Sequence, residues 1–254
     1  MLEVRDLIKR YNRIPAVDGV SFVIRPGQVL GYLGPNGAGK STTVKILTGL
    51  IDATSGRVYF QGRDVRDDWC SFLEHVGYVP EEPHLYPQLS GREYLQLVGR
   101  LRGMERRAIE RSMDELLRLF SLWEDRHSPL SSYSKGMRQK VLLSAALLHD
   151  PHVLILDEPF SGLDVTAALV FRSLLQALAN KGKMILYSSH VLEVVEKVCS
   201  EVVILHRGRV LAYDSVARLR DLRASTSLEN VFSQLVMQED VSAVASQMIA
   251  VMRA

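Results

Sequence analysis

Cysteine is nearly absent from this chain, with only Cys70 and Cys199 among 254 residues, and neither has a neighbouring cysteine or histidine pattern. Disulfide frameworks and zinc sites use closely spaced cysteines, so neither is expected. Long apolar runs are lacking too, because the best candidate, residues 141–148, is ended by His-Asp-Pro. A helix that crosses a bilayer needs about 20 apolar residues. We therefore expect no membrane span and two ordinary thiols in a reducing compartment.

A charge excess of either sign is also missing. Lys and Arg number 31 and Asp and Glu 29, which gives a net charge of +2. Net charge thus gives no reason to expect a polyanionic partner such as nucleic acid. Residues 1–10 interleave charged and apolar side chains and lack the apolar core of a signal peptide. We expect the protein to remain in the cytoplasm.

A glycine-rich loop is the most informative feature that is present. Residues 34–41 read Gly-Pro-Asn-Gly-Ala-Gly-Lys-Ser and fit G-x-x-x-x-G-K-[ST] at every fixed position. An apolar segment at 28–33 and an amphipathic segment at 42–47 flank it, which predicts strand, loop and helix in succession. Glycines in this context let backbone N–H groups surround an anion at the positive end of the helix. The predicted nucleotide-binding residues are Gly34, Pro35, Asn36, Gly37, Ala38, Gly39, Lys40, Ser41 and Thr42.

Two of these side chains have specific predicted roles. Lys40 is expected to reach the β and γ phosphates, and the Ser41 hydroxyl to ligate Mg²⁺. An ordinary glycine-rich turn is the alternative interpretation. A phosphate loop alone also suits a kinase, a GTPase or a motor protein.

A second motif, which contains two acidic residues, narrows the choice of enzyme class. Residues 153–156 are apolar and predict a buried strand, which ends in Asp157 and Glu158. Ligands of an open parallel sheet gather at the carboxyl ends of its strands. Asp157 is therefore predicted to hold Mg²⁺ with Ser41, and Glu158 to polarise the attacking water. The alternative is a strand that simply ends in two solvated acids.

The order of the segments predicts an α/β fold. Strand-like segments dominate the first sixty residues, helical spacing dominates residues 89–149, and strands then alternate with helices. Such alternation favours a mostly parallel core sheet covered on both faces. The block at 89–149 is predicted to be an inserted α-helical subdomain, and the residues after 215 are helical in pattern.

A short motif before the acidic strand carries a family resemblance. Residues 133–137 read Tyr-Ser-Lys-Gly-Met and resemble the Leu-Ser-Gly-Gly-Gln signature of ATP-binding cassette (ABC) transporters, with Ser134 and Gly136 retained. A serine and free N–H groups at a helix start suit an anion, although a plain N-cap serine is the alternative. The variant is similar to that of bacterial exporter cassettes. The resemblance therefore implies a nucleotide-binding ATPase subunit of a bacterial exporter-like ABC transporter.

Further positions match the family in its order along the chain. Asp164 resembles the acid of the D-loop, and His190 resembles the switch histidine that contacts the γ phosphate. Tyr11 resembles the aromatic residue that stacks on adenine, with Val17 a weaker candidate for the same surface. A partly buried tyrosine near a strand end is the alternative for Tyr11, and an unremarkable loop residue is the alternative for His190.

One position departs from the family pattern. Where the family usually has a glutamine, this chain has Glu81. A carboxylate can still ligate Mg²⁺ or its water, but it adds negative charge near the γ phosphate. Leu85 and Tyr86 would, by resemblance, face a membrane partner, or else the loop packs on its own helical subdomain.

The resemblance covers roughly residues 1–220. It implies a P-loop NTPase core with a mostly parallel sheet, an N-terminal antiparallel β part and the inserted helical subdomain, which together form one ATP-binding cassette domain. Residues 221–254 are expected to form a C-terminal helical tail, in which 227–232 resembles the tail of exporter cassettes.

The resemblance also implies cofactors and partners. ATP and Mg²⁺ are the expected cofactors, and two cassettes, as a homodimer, are expected to enclose two ATP molecules. A separate multi-span permease is the expected partner, which would hold the protein peripherally at the cytoplasmic face of the inner or plasma membrane, driving export. The alternative is a soluble cassette ATPase that acts on the ribosome or on nucleic acid.

Overall fold

The computed structural model describes residues 1–189, 191–222 and 232. His190 and most of the predicted C-terminal tail, including the segment 227–231, lie outside the described residues. The strands are β1 (Leu2–Tyr11), β2 (Ile14–Ile24), β3 (Val29–Leu33), β4 (Ser55–Phe60), β5 (Arg63–Asp64), β6 (Val76–Val79), β7 (Val153–Asp157), β8 (Met184–Ser189), β9 (Glu201–His206) and β10 (Arg209–Ser215). The helices are α1 (Lys40–Leu47), α2 (Trp69–Glu74), α3 (Gly91–Leu101), α4 (Arg106–Leu119), α5 (Lys135–Leu147), α6 (Val165–Asn180), α7 (Leu192–Val198) and α8 (Val216–Leu222).

The first sheet is antiparallel, in the order β2-β1-β4-β5. Its β1 strand buries Leu2, Val4 and Leu7 and exposes residues between them. Such near-alternation is typical of a sheet with one face on the core. The predicted N-terminal antiparallel part is confirmed.

The second sheet has the order β10-β9-β3-β8-β7-β6, and all its pairs are parallel except β10 with β9. Every residue of β3, β7 and β8 is buried. Continuous apolar runs form such strands because helices cover both faces of a parallel sheet. The carboxyl ends of β3, β6, β7 and β8 therefore lie along one edge, where the candidate site forms.

Helices α3, α4 and α5 lie between β6 and β7, as the predicted insertion requires. They share a core of their own that includes Leu95, Met113, Leu117 and Val141. Helix α3 begins with a capping box, in which Ser90 and Glu93 satisfy each other's backbone N–H groups. Within the described part of the chain, no helix is both long and apolar enough to span a bilayer.

Arg102 anchors this helical insertion to the second sheet. Its guanidinium follows α3 and donates hydrogen bonds to the carbonyls of Leu73 and Val76, the latter at 3.0 Å. His149 Nε2 lies 3.1 Å from the same Val76 oxygen, so this nitrogen carries the proton. Burial, with the Arg102 charge, lowers the pKa of His149 to about 4. His149 is thus neutral near neutral pH, whereas Arg102 remains charged.

We expect Arg102→Ala to lower the free energy of unfolding by about 2 kcal/mol, because two partly buried carbonyls lose a charged donor. Arg100→Ala, an exposed position on α3, is the matched control and should change it by less than about 0.5 kcal/mol. Urea denaturation of both variants measures the difference. Equal stabilities for the two variants would contradict the anchoring role.

Candidate active site

The glycine loop joins β3 to α1 with two residues in the left-handed region, Gly37 at φ 78° and Gly39 at φ 106°. A Cβ on Gly39 would lie 2.4 Å from the Ala16 carbonyl oxygen, so only glycine fits there. Helix α1 begins directly after Gly39 without a side-chain cap. Its first N–H groups are therefore available to an anion.

The rest of the loop is braced from a distant part of the chain. The Gly208 N–H, in the turn between β9 and β10, donates to the Ala38 carbonyl at 3.0 Å. The Gly208 carbonyl in turn accepts from the Asp18 N–H at 2.8 Å. A Cβ on Gly34 would lie 2.7 Å from the Leu205 carbonyl oxygen. The loop is thus fixed between β2 and the turn that precedes β10.

Lys40 is only 8% exposed, and its ammonium is held by the loop itself. Nζ donates to the carbonyls of Gly34 at 2.7 Å and Pro35 at 3.2 Å. Burial lowers the pKa of Lys40, while the charges of Glu158, Asp157 and Glu81 oppose that shift. The Lys40 ammonium is thus bonded to its own loop and lies in a cavity that three carboxylates also line.

Asp157 ends β7 and is only 4% exposed. Burial and the charge of Glu158 raise its pKa, while the hydroxyls of Ser188 and Ser41 and the charge of Lys40 oppose the rise. A carboxylate that is costly to keep charged, next to a serine hydroxyl, is an oxygen donor set that suits a hard divalent cation. The predicted pair Ser41 and Asp157 therefore fits Mg²⁺.

Glu158 follows immediately, and its backbone is left-handed at φ 49°. Its N–H donates to the Ser188 carbonyl at 3.0 Å, and its Oε2 accepts from the Ser189 hydroxyl at 3.1 Å. This backbone turn ends β7. Glu158 is therefore held in place by its hydrogen bonds to β8 and does not extend β7. The carboxylate faces the same cavity as Asp157.

These groups surround one open cavity of about 410 Å³. Three strand ends contribute to it. The glycine loop follows β3, and Glu81 follows β6. Asp157 is the last residue of β7, and Glu158 comes directly after it. Negative charge dominates, and burial with the charges of Asp157 and Glu81 raises the pKa of Tyr78 to about 12. The lining residues are Ala16, Asn36, Gly37, Gly39, Lys40, Ser41, Thr42, Glu81, Asp157 and Glu158.

The two residues predicted to contact adenine differ in position. Tyr11 is 48% exposed at the end of β1, with Lys9 Nζ 5.3 Å from its ring centroid. Val17 is fully buried and packs in the hydrophobic core, so its side chain offers no surface to a base. Its neighbour Ala16 lines the phosphate cavity instead. The prediction that the Val17 side chain contacts adenine is wrong, because that side chain is buried in the core.

The signature residues lie apart from this cavity. Exposed Ser134 caps α5 by accepting from the Met137 N–H at 3.2 Å. A Cβ on Gly136 would lie 2.6 Å from the Gly162 carbonyl oxygen. Asp164 caps α6, and its bond from the Ala167 N–H lowers its pKa. None of the three predicted residues, Ser134, Gly136 and Asp164, lines the phosphate cavity within one chain.

The loop after Glu81 carries one partly buried and one exposed apolar residue. Leu85 is partly buried and packs against the core of the helical insertion, whereas Tyr86 is 61% exposed. Of these two residues, only Tyr86 therefore exposes an apolar side chain that a partner protein could contact.

Three residues near the site are not predicted from the sequence. Ala16 lines the cavity, Ser189 binds Glu158, and fully buried Gln139 donates from Nε2 to the Pro159 carbonyl at 3.2 Å. Ser189 has a signal in the sequence, since it ends a buried strand at the edge where ligands gather. Ala16 and Gln139 have none, because their roles depend on contacts between distant segments.

A phosphate loop after the first parallel strand, with acids at the neighbouring strand ends, defines a P-loop nucleotide-binding protein. The family model "ABC transporter" matches residues 17–161. The ABC transporter ATP-binding protein NatA of Bacillus subtilis (strain 168) is 34% identical over 93% of this chain and 98% of its own length.

Two further matches agree. The Nod factor export ATP-binding protein I of Ralstonia nicotianae is 36% identical over 84% of this chain and 66% of its own length. A solved ATP-binding subunit of an ABC transporter aligns with a TM-score of 0.87 at 35% identity, covering 92% of this chain and 99% of that one. The chain belongs to the family of ABC transporter ATP-binding proteins. It is an ABC ATPase that binds ATP.

We expect Gly39→Ala to destabilise the nucleotide-free protein by at least about 2 kcal/mol. The alanine Cβ would clash with the Ala16 carbonyl oxygen, and the positive φ of this position is unfavourable for alanine. Gly37→Ala is the matched control, since it has positive φ but open space around the Cβ, and should cost about 1 kcal/mol. Thermal or urea unfolding without nucleotide compares them. If Gly39→Ala is no worse than Gly37→Ala, the close approach to Ala16 is not a constraint.

Proposed function

We propose that this ABC ATPase uses the 410 Å³ cavity for Mg²⁺-dependent ATP hydrolysis and drives a separate membrane permease, in the direction of export. The observation that carries the proposal is the convergence of the glycine loop, Glu81, Asp157 and Glu158 on that single cavity. A phosphate loop alone binds a nucleotide. The added acids from two neighbouring strand ends supply what hydrolysis needs.

In this proposal the loop N–H groups and Lys40 bind the phosphates, with Thr42 at the cavity wall. Ser41 and Asp157 would hold Mg²⁺ directly, and Glu81 would hold it or one of its waters. The bound ion would neutralise charge that develops on the phosphates. Support comes from the raised pKa of Asp157, because a nearby cation offsets the cost of its buried charge.

Glu158 is proposed as the general base. A base must lie within hydrogen-bond reach of the water it activates, and Glu158 shares the cavity with Lys40 and the loop. Its side chain accepts the proton of the attacking water. His190, two residues before α7, is proposed to contact the γ phosphate, by resemblance to the family.

A second copy of the chain is proposed to complete each site. Ser134 and Gly136 lie at the start of α5, outside the phosphate cavity of their own chain, and Ser134 is exposed. That arrangement suits donation of the α5 N-terminus, with the nearby Asp164 loop, to an ATP bound by the partner. Tyr11 would stack on adenine from its own chain.

The transport proposal extends to a permease and a location. Exposed Tyr86, in the loop that follows Glu81, is a suitable anchor for a membrane partner. The similar Nod factor export protein supports export as the direction. The protein would then be peripheral at the cytoplasmic face of the membrane, with residues 1–220 as the cassette domain and 221–254 as its tail. None of the relatives described above is named for action on ribosomes or nucleic acid, so transport is favoured.

Glu158→Gln should lower steady-state ATP turnover at least about 100-fold, because the amide cannot accept the proton. ATP affinity should stay within about twofold, since the glycine loop, Ser41 and Asp157 remain. Phosphate release assays and equilibrium nucleotide binding measure the two quantities. Turnover at the wild-type rate would remove Glu158 from the role of base.

Tyr86→Ala should weaken co-purification of a multi-span membrane protein from detergent extracts by about tenfold, because the loop loses its exposed aromatic anchor. Leu211→Ala, a partly exposed apolar position on β10, is the matched control and should leave recovery unchanged. Quantitative mass spectrometry of the bound fraction gives the ratio. Recovery of ribosomes or nucleic acid alone with the unaltered protein would contradict the transport proposal.

A further inference from the structure

We propose that Ser189 is a positioning residue for hydrolysis, which holds the carboxylate of Glu158 in its working orientation; this rests on the proposed role of Glu158 as base. Ser189 is the last residue of β8 and is only 1% exposed. Its hydroxyl donates to Glu158 Oε2 at 3.1 Å. No motif used above assigns a role to this serine.

The main chain of Glu158 is fixed separately from its side chain. Its backbone is fixed by two hydrogen bonds, from its own N–H to the Ser188 carbonyl and from the Ser161 N–H to its carbonyl, both at 3.0 Å. These bonds hold the main chain in the left-handed conformation at φ 49°. Backbone hydrogen bonds do not by themselves set the side-chain torsions of a residue. The Ser189 hydroxyl restricts those of Glu158 by holding one carboxylate oxygen.

The direction of the Ser189 hydroxyl is itself fixed. The Val191 N–H donates to Ser189 Oγ at 3.1 Å, so the oxygen accepts from the backbone and its single proton points to Glu158. A serine hydroxyl has one proton and two acceptor positions. One side chain therefore connects the base to the segment that runs from β8 into α7.

Tyr187 strengthens this arrangement from the same face of β8. Burial raises the pKa of Tyr187, so its hydroxyl stays protonated near neutral pH. The Tyr187 ring packs edge-on against Phe160 at 5.8 Å between centroids, and Phe160 also packs on Phe171 at 5.2 Å. Phe160 lies two residues after Glu158. The loop that carries the base is thus held by β8 through both packing and hydrogen bonds.

A purely structural role for Ser189, as a turn residue before α7, makes a different prediction. Loss of the Val191 contact alone would change stability but not the catalytic rate of the folded protein. The two roles are therefore separated by comparing kcat with ATP affinity and with the free energy of unfolding.

The experiment measures kcat, KM and equilibrium ATP affinity for Ser189→Ala and Ser189→Thr. We expect Ser189→Ala to lower kcat about tenfold, with ATP affinity within about twofold, because only the orientation of the base is lost. Ser189→Thr keeps the hydroxyl and should recover most of kcat. Ser144→Ala, a fully buried serine that bonds to its own helix at the Lys140 carbonyl, is the control and should leave kcat unchanged.

If Ser189→Ala does not fold, Ser189→Val replaces it, because Val and Thr have nearly the same size and differ in the hydroxyl. We then expect kcat to be about tenfold lower for Ser189→Val than for Ser189→Thr. A kcat that is unchanged in Ser189→Ala, or equally low in Ser189→Thr and Ser189→Val, would overturn the proposal.

A double variant tests whether Ser189 acts through Glu158. In the Glu158→Gln background, Ser189→Ala should change the single-turnover rate by less than about twofold, since effects that share one group are not additive. An undiminished tenfold loss there would overturn the proposal. If Glu158→Gln alone keeps full turnover, the assignment of the base fails and the Ser189 proposal with it. If Glu158→Gln is inactive but Ser189→Ala has normal kcat, only the Ser189 proposal fails.

Discussion

The arrangement of charge at one edge of the second sheet is the constraint on which the rest of the structure depends. Parallel strands bring Glu81, Asp157 and Glu158 to the same cavity, and among the described residues that line it one ammonium, that of Lys40, is buried beside them. That lysine is already bonded to two carbonyls of its own loop. Triphosphate would add further negative charge to this cavity. The charges of the protein therefore support the proposal that Mg²⁺ binds together with ATP.

The sequence was sufficient for those parts of the site that are local in the chain. The glycine loop, the strand with Asp157 and Glu158, and the helical insertion depend on short patterns, and each is found where the patterns predict it. The burial of Val17 could not be predicted in this way. The register of β1 and β2 shifts so that Lys9 pairs with Val17 and Arg10 with Pro15, which leaves Ala16 unpaired as a bulge. Such a bulge turns Ala16 to the cavity and Val17 to the core, and nothing in the alternation of residues reveals it.

The start of the signature helix α5 is in close contact with the loop that follows β7. Lys135 Nζ donates to Ser161 Oγ at 2.9 Å, Gly136 closely approaches Gly162, and Gln139 reaches the Pro159 carbonyl. These contacts join residues distant in sequence, which is why Gln139 escaped sequence analysis. They also connect the helix that is proposed to act on a partner's nucleotide to the loop beside its own Glu158.

The hydrogen bond from Gly208 joins the phosphate loop to a part of the chain that is synthesised much later. The glycine loop leaves the ribosome first, yet the N–H that holds the Ala38 carbonyl comes from the turn before β10, some 170 residues later in the chain. A growing chain therefore carries the loop without its support for most of translation. Among the described residues, the phosphate loop gains this hydrogen bond only once the hairpin of β9 and β10 has formed.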